Sequence, residues 1–331
     1  MRVLGIDTSC DETSVALLED RTILESVVVG QTSLHQPYGG VVPEIAARAH
    51  VERMIPALDK ALAAGTPDLI AVTNRPGLIG PLLVGLSAAK SLAFARNLPI
   101  VGVHHLEAHV AAAYLLDPPP APPFLALIAS GGHTLLYEVP KRGTYRRLGT
   151  TIDDAAGECF DKIAAMLGLP YPGGPSVQRA AKQGDRKAFD LPRPLMRDKS
   201  DDFSFSGLKT AVLYKVKGPN VGRRGPDLKD VPVADLAASA QEAIADVLTF
   251  KAVRACKRRG IERLVLGGGV AANTRLRELT ASRAAEAGIE VFIPPPALCT
   301  DNAAMIAARG RELYDEGVRS DLQLDADPYA E

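Results

Sequence analysis

His105 and His109 stand four residues apart in GVHHLEAHVAAAYLL, a segment whose composition favours a helix. At that spacing both imidazoles project from one helix face, where they can share a metal ion. Two histidines leave such an ion short of ligands, and Asp301, in the run CTDN that leads into a small-residue helix, is an oxygen ligand of suitable type. His104, the neighbour of His105, is a decoy candidate. Glu107 separates the segment from a zinc peptidase. In His-Glu-x-x-His the Glu follows the first His directly, and here it comes two positions on.

Three further stretches carry chemistry. In GIDTSCDETS the carboxylates of Asp7, Asp11 and Glu12 gather at a turn beside Ser and Thr hydroxyls, which suits the placing of a cation, a water or a reacting amine. In FLALIASGGHTLLYEV the residues Ser130 to Thr134 separate two apolar runs, 124–129 and 135–139. Gly131-Gly132 admits positive φ and leaves no side chain above the backbone N–H groups, so the turn can hold a phosphate or carboxylate; a plain hairpin connection is the alternative. In LGGGVAAN a glycine triplet, 267–269, links a strand to a helix beginning near Asn273. That plan resembles a nucleotide loop, but it is neither Gly-x-x-x-x-Gly-Lys-Ser/Thr nor Gly-x-Gly-x-x-Gly.

The elements that must position these residues follow from periodicity. Residues 3–6 and 14–18 read as strands around the acidic turn, the same plan as 124–139, and two hairpins of one design predict a duplicated fold facing a shared cleft. Residues 45–62, which include His50, and 82–95 read as helices, with a strand at 69–72 between them. After the proline-rich break at 117–123, residues 151–167 form a polar entrance and an amphipathic helix that Asp153 and Asp154 can cap. Glu158 and Asp161 share a face of it, to contact sugar hydroxyls or water. A rigid loop at 170–175 carries Gly174. Residues 217–229, KGPNVGRRGPDLK, read as a mobile basic surface loop. A long helix at 236–257 and strands at 263–266 and 291–293 complete a second α/β unit.

Composition bounds the alternatives. A chain of 331 residues fits two domains, and 47% hydrophobic with 23% charged residues is an ordinary globular balance. The net charge of −1 argues against a broad basic surface, so a nucleic-acid partner would be met by local patches or a second subunit. Cys10, Cys159, Cys256 and Cys299 form no Cys-x-x-Cys pair and read as reduced thiols. No apolar run has signal-peptide or transmembrane character, and the expected location is the cytoplasm.

GIDTSCDET, GGVVPEIAARAH, VHHLEAH, ASGGHT, TIDDAAGE with FDK, YPGGP, FSFSGLKTA, LGGGVAAN and CTDNAAMIA occur in this order over nearly the whole chain. This set resembles the TsaD family, the tRNA threonylcarbamoyladenosine transferases once called glycoproteases. The resemblance implies an α/β fold of duplicated RNase H-like domains, as in actin, hexokinase and Hsp70 (the ASKHA superfamily), around an interdomain cleft. It implies an amino-terminal domain over residues 1–120, whose last helix is completed by about residues 300–331, and a second domain over 121–300 with the loop at 217–230. It implies metal ligands at His105, His109 and Asp301, for Fe2+ or Zn2+. It further implies contacts to the adenylate of threonylcarbamoyl-AMP from Ile128, Ala129, Ser130, Gly131, Gly132, Asp161, Gly174 and Asn273. The partners it implies are tRNA, TsaB and TsaE, with an upstream TsaC-type enzyme. Asp11 and Glu12 are the candidates for handling the proton. Departures from the family pattern fall at Arg75, Pro81 and Gln178.

Three rival functions can be discriminated. The position of Glu107 weighs against a metallopeptidase. The histidine pair weighs against a small-molecule kinase, which binds nucleotide through Mg2+. A non-catalytic scaffold like TsaB is expected to lack His105, His109 and Asp301.

Overall fold

A computed structural model describes residues 1–218 and 231–329. The expected basic loop at 217–229 therefore lies almost wholly outside the described residues. The chain divides into two units. The first comprises Met1–Pro120, Lys141–Thr144 and Ala297–Glu331, and the second Ala121–Pro140 and Tyr145–Pro296.

The chain begins with strands β1 (Arg2–Asp7), β2 (Glu12–Glu19) and β3 (Thr22–Gly30), followed by the short helix α1 (Thr32–His35) and the long helix α2 (Pro43–Ala63). Then come β4 (Leu69–Arg75), α3 (Ile79–Arg96), β5 (Ile100–His104) and α4 (His105–Ala111). The sheet order is β3-β2-β1-β4-β5, with β1 antiparallel to β2 and parallel to β4. β1 and β4 are almost fully buried, as near-continuous apolar strands with both faces covered should be.

The second unit repeats the plan. β6 (Phe124–Ala129), β7 (Thr134–Lys141) and β8 (Thr144–Thr150) precede helices α5 (Ala156–Met166), α6 (Gly173–Ala181), α7 (Ser206–Lys217) and α8 (Val233–Arg259). They are followed by β9 (Arg263–Gly267), α9 (Thr274–Glu286) and β10 (Glu290–Phe292), after which the short helix α10 (Pro296–Cys299) leads into the first unit. Its sheet order is β10-β9-β6-β7-β8, in which the antiparallel hairpin β6–β7 holds the place that β1–β2 holds in the first sheet. The two hairpins recognised in the sequence are thus equivalent parts of a duplicated α/β fold.

The chain then returns to the first unit as α11 (Ala303–Asp315), which is buried along most of its length. Gly5 makes that return possible. A Cβ there would lie 2.1 Å from the Ala303 carbonyl oxygen, so only glycine lets α11 lie directly on β1. No described helix is long and apolar enough to cross a membrane.

Asp153 departs from expectation. Its carboxylate caps α7, accepting the Phe205 and Ser206 N–H groups and both the Ser204 and Ser206 hydroxyls. Burial would raise its pKa, but those donors hold it below the usual carboxylate range. Asp154 pairs with Lys162 and Lys209. Neither residue caps α5, where Glu158 instead accepts the Ala155 N–H. Periodicity locates the helix, whereas the destination of a carboxylate across the fold is a tertiary fact.

Candidate metal centre and nucleotide loops

β5 ends at His104, and the chain turns at once into α4, so His105 occupies the first helical position and His109 the next turn. Their rings lie edge to face, with centroids 4.7 Å apart. Asp301 is in the break between α10 and α11. That break is held by Asn302, which accepts the Met305 N–H at 3.0 Å and donates to the Thr300 carbonyl at 2.7 Å, while Ser14 Oγ accepts the Ala303 N–H at 2.8 Å. Asp301 Oδ1 thereby lies 3.6 Å from His105 Nε2 and 3.2 Å from His109 Nε2. One ligand atom from each of the three residues falls within 4.8 Å of the others, a spacing that a single transition-metal ion can span.

The donor set fits a cation. His109 is buried; its Nδ1 has no hydrogen-bond partner among the described residues, and its Nε2 faces the Asp301 carboxylate at 3.2 Å. A buried imidazole with one nitrogen unsatisfied and the other against a carboxylate that it shares with a second histidine is an arrangement that a cation would complete. His105 has the support expected behind a metal ligand. Its Nδ1 faces the Asp7 carboxylate at 3.4 Å and the Ser9 hydroxyl at 3.2 Å, which places the ring proton on Nδ1 and leaves Nε2 directed toward Asp301. Burial disfavours the charged His105, but the Asp7 and Asp301 carboxylates outweigh it and raise its pKa well above the ordinary histidine value. Burial works to raise Asp301, and the two histidines hold it well below the carboxylate range. His104 belongs to β5 and takes no part in the cluster. Glu107 points elsewhere and pairs with the buried Arg309 at 3.0 Å, so it is not free to serve as a peptidase base.

In the same unit, Asp11 ends the turn from β1 to β2 and Glu12 begins β2. Burial pushes the Glu12 carboxyl up to about 9, assisted by the neighbouring Asp301 and Asp11 carboxylates. A cation among the ligands would oppose that field.

In the second unit, β6 and β9 run parallel as neighbours, with Ile128 opposite Gly267. The turns that leave their carboxyl ends, 130–132 and 268–273, are therefore adjacent, which is where open parallel sheets bind ligands. Gly268 has φ +84°, and a Cβ there would meet the Ala129 carbonyl oxygen at 2.3 Å, so it seats one turn against the other. Ile128 and Ala129 are buried at the end of β6. The Ser130 N–H is already donated to the His133 carbonyl, whereas Gly131 and Gly132 are exposed, with open space where a Cβ would point. Gly131 and Gly132 thus have the unobstructed character expected of them, while the Ser130 N–H is taken within the turn.

Asp161 Oδ1 accepts the N–H of Gly173 at the start of α6, and Gly174 beside it is open. Asn273 caps α9 by accepting the Leu276 N–H at 3.0 Å and donates to Gln241 at 2.9 Å. Gln178 accepts the Thr274 N–H at 2.7 Å, so its amide holds the start of α9. Sequence reasoning left Asp7 and Ser9 without specific roles behind His105. The signal present was only their place in the acidic turn.

A family profile described as "TsaD: tRNA N6-adenosine threonylcarbamoyltransferase" matches residues 22–308. A protein of that name from Anaeromyxobacter dehalogenans (strain 2CP-1) is 54% identical over 334 residues, covering 99% of this chain and 98% of its own length. Another of that name, from Thermotoga neapolitana, is 49% identical over 332 residues, covering 99% of each chain. Among solved structures, full-length HypF in its phosphate- and nucleotide-bound form is similar with TM-score 0.61 at 14% identity, over 99% of this chain and 47% of HypF. A ROK hexokinase from Thermus thermophilus gives TM-score 0.55 at 15% identity, over 96% of this chain and 99% of the hexokinase. At such identities these two structures bear on the fold alone, and they agree with the duplicated α/β architecture. Full-length similarity at about half identity, together with the family match over most of the sequence, establishes that the chain belongs to the TsaD family of tRNA N6-adenosine threonylcarbamoyltransferases.

Proposed function

We propose that this chain transfers the threonylcarbamoyl group of threonylcarbamoyl-AMP to N6 of adenosine 37 in tRNAs that read ANN codons. The products are N6-threonylcarbamoyladenosine and AMP. The observation that carries the reading is the full-length identity to transferases of that name. In the reaction, N6 attacks the carbamoyl carbon and forms a C–N bond. The bond from that carbon to the AMP phosphate oxygen breaks, AMP departs with the electron pair, and N6 loses a proton.

Each step requires something of this chain. His105, His109 and Asp301 would hold an Fe2+ ion, or Zn2+ in its place, which when bound supplies Lewis acidity toward the threonylcarbamoyl oxygens. Asp7 and Ser9 orient His105 for that task. The N–H groups of Gly131 and Gly132 meet developing negative charge. Ile128, Ala129, Asp161, Gly174 and Asn273 position the adenylate, and the Asp11–Glu12 pair receives the proton.

Asn273→Ala tests the nucleotide assignment. Loss of the cap is expected to cost about 1 kcal/mol of stability. Adenylate affinity, measured by calorimetry, should fall while metal content stays at the wild-type level. Unchanged affinity in folded protein would remove Asn273 from the binding set.

TsaB and TsaE are the proposed partners, with a TsaC-type enzyme supplying the substrate in the cytoplasm. Exposed apolar residues on α2 (Val51, Ile55) and α3 (Ile79, Leu83) support a protein partner in the first unit. The net charge of −1 gives the chain little long-range attraction for tRNA by itself. Modified nucleoside in tRNA should accumulate slowly with the chain alone and over many cycles once TsaB and TsaE are added, at matched salt. Full multiple turnover by the isolated chain would contradict the partner requirement, and no modified nucleoside with all components present would contradict the function.

A further inference from the structure

His50 lies in the middle of α2 and has no exposed surface. Its ring makes two hydrogen bonds, Nε2 to the Cys10 carbonyl oxygen at 3.0 Å and Nδ1 to the Thr13 hydroxyl at 2.8 Å. A carbonyl only accepts, so Nε2 must carry the proton; Nδ1 is then the acceptor for the Thr13 O–H. Burial lowers the His50 pKa, in keeping with a neutral ring, although the Cys10 carbonyl and the carboxylates of Asp7 and Asp11 act in the opposite direction. The two residues it grips, Cys10 and Thr13, bracket Asp11 and Glu12.

We propose that His50 is a positioning residue: from helix α2 it fixes both ends of the 10–13 turn and so sets where the Asp11 and Glu12 carboxylates stand during transfer. The inference rests on the proton role given to that pair under Proposed function. Glu12 lies close enough to the Asp301 and Asp11 carboxylates to feel their charge, so ionising it beside them sets like charges against each other. Glu12 and Thr13 open β2 and pair with Gly30 and Val29 of β3, which fixes the far end of the turn, but that pairing does not orient the Cys10 carbonyl. The imidazole does both, because its donor and acceptor are rigidly placed on opposite sides of one ring. Neither contact reaches His105, His109 or Asp301, so the metal should not depend on it.

The test uses the full chain with its partners and tRNA, and compares wild type with His50→Ala, His50→Gln and Thr13→Val. His50→Ala is expected to lower kcat about 100-fold, the scale of a 1 Å misplacement of a reacting group. Metal content, adenylate Kd and KM should remain within about twofold of wild type. The glutamine amide can still donate to the Cys10 carbonyl, so His50→Gln should recover at least about tenfold of the loss, with Thr13→Val intermediate. Equal losses in His50→Ala and His50→Gln, or wild-type kcat in His50→Ala, would overturn the proposal. Should His50→Ala fail to fold, wild-type kcat in both His50→Gln and Thr13→Val would do so. Nitrogen NMR of the ring, assigned by its absence in His50→Gln, needs no turnover and should show protonated Nε2 with bare Nδ1 near about pH 7. The opposite tautomer or an imidazolium would overturn the proposal, and an inactive wild type would count against the function while leaving this spectral result to decide the contact.

Discussion

His109→Ala is expected to yield protein that purifies without its metal and transfers threonylcarbamoyl about 1000-fold more slowly, the several kcal/mol that a Lewis acid contributes. The ring is buried, its Nδ1 lacks a hydrogen bond among the described residues, and its Nε2 faces only a fellow member of the cluster, Asp301, so it does little for the fold outside the metal site. Its removal also leaves Asp301 with one histidine neighbour rather than two. His105→Ala should behave alike. His104→Ala is expected to retain metal, because His104 ends β5 outside the cluster. Elemental analysis and initial rates on the three variants decide the matter; equal losses at all three positions would mean that the ligand set is misassigned.

Acid is expected to release the metal, with affinity falling about tenfold per pH unit below the raised pKa of His105. The carboxylates of Asp7 and Asp301 that favour the protonated ring extend the pH range over which a proton competes for Nε2. Glu12 adds a linked effect in the metal-free protein. Its folded-state pKa is raised from 4.5 to about 9, so its stabilising contribution is complete below 4.5 and is lost as pH rises toward 9. Metal-free protein should therefore lose stability over the range in which metal binds best, and the rise in melting temperature on adding metal should be larger near about pH 8 than near about pH 6. Glu12→Gln should flatten that difference. A metal-induced shift independent of pH in both proteins would contradict the electrostatic picture.

Much of the frame was legible because its causes are local. The apolar runs of β1, β4, β6 and β9, the small polar turn after the first and the glycine-bearing turns after the other three mark the repeated hairpin and the strand-to-helix loops without reference to any distant residue. The His105–His109 pair was legible for the same reason, since a spacing of four on a helix defines a face. What stayed hidden depends on contacts between distant parts of the sequence. Asp153 looks like a cap for the helix after it but caps α7, about fifty residues on, because the backbone pairs Thr151 with Phe203. Ser130 looks as open as Gly131 and Gly132 until its N–H is found on the His133 carbonyl. His50 reads as an ordinary helix histidine until the β1–β2 turn is brought against α2.

The most direct test counts two products in one reaction. Purified chain with metal, TsaB and TsaE receives threonylcarbamoyl-AMP and unmodified tRNA; AMP is quantified by chromatography, and the digested tRNA by nucleoside mass spectrometry. The account predicts one N6-threonylcarbamoyladenosine for each AMP released above the uncatalysed background, with both products lost in His109→Ala. Release of AMP by the wild-type protein without modified adenosine would show hydrolysis in place of transfer and contradict the central claim.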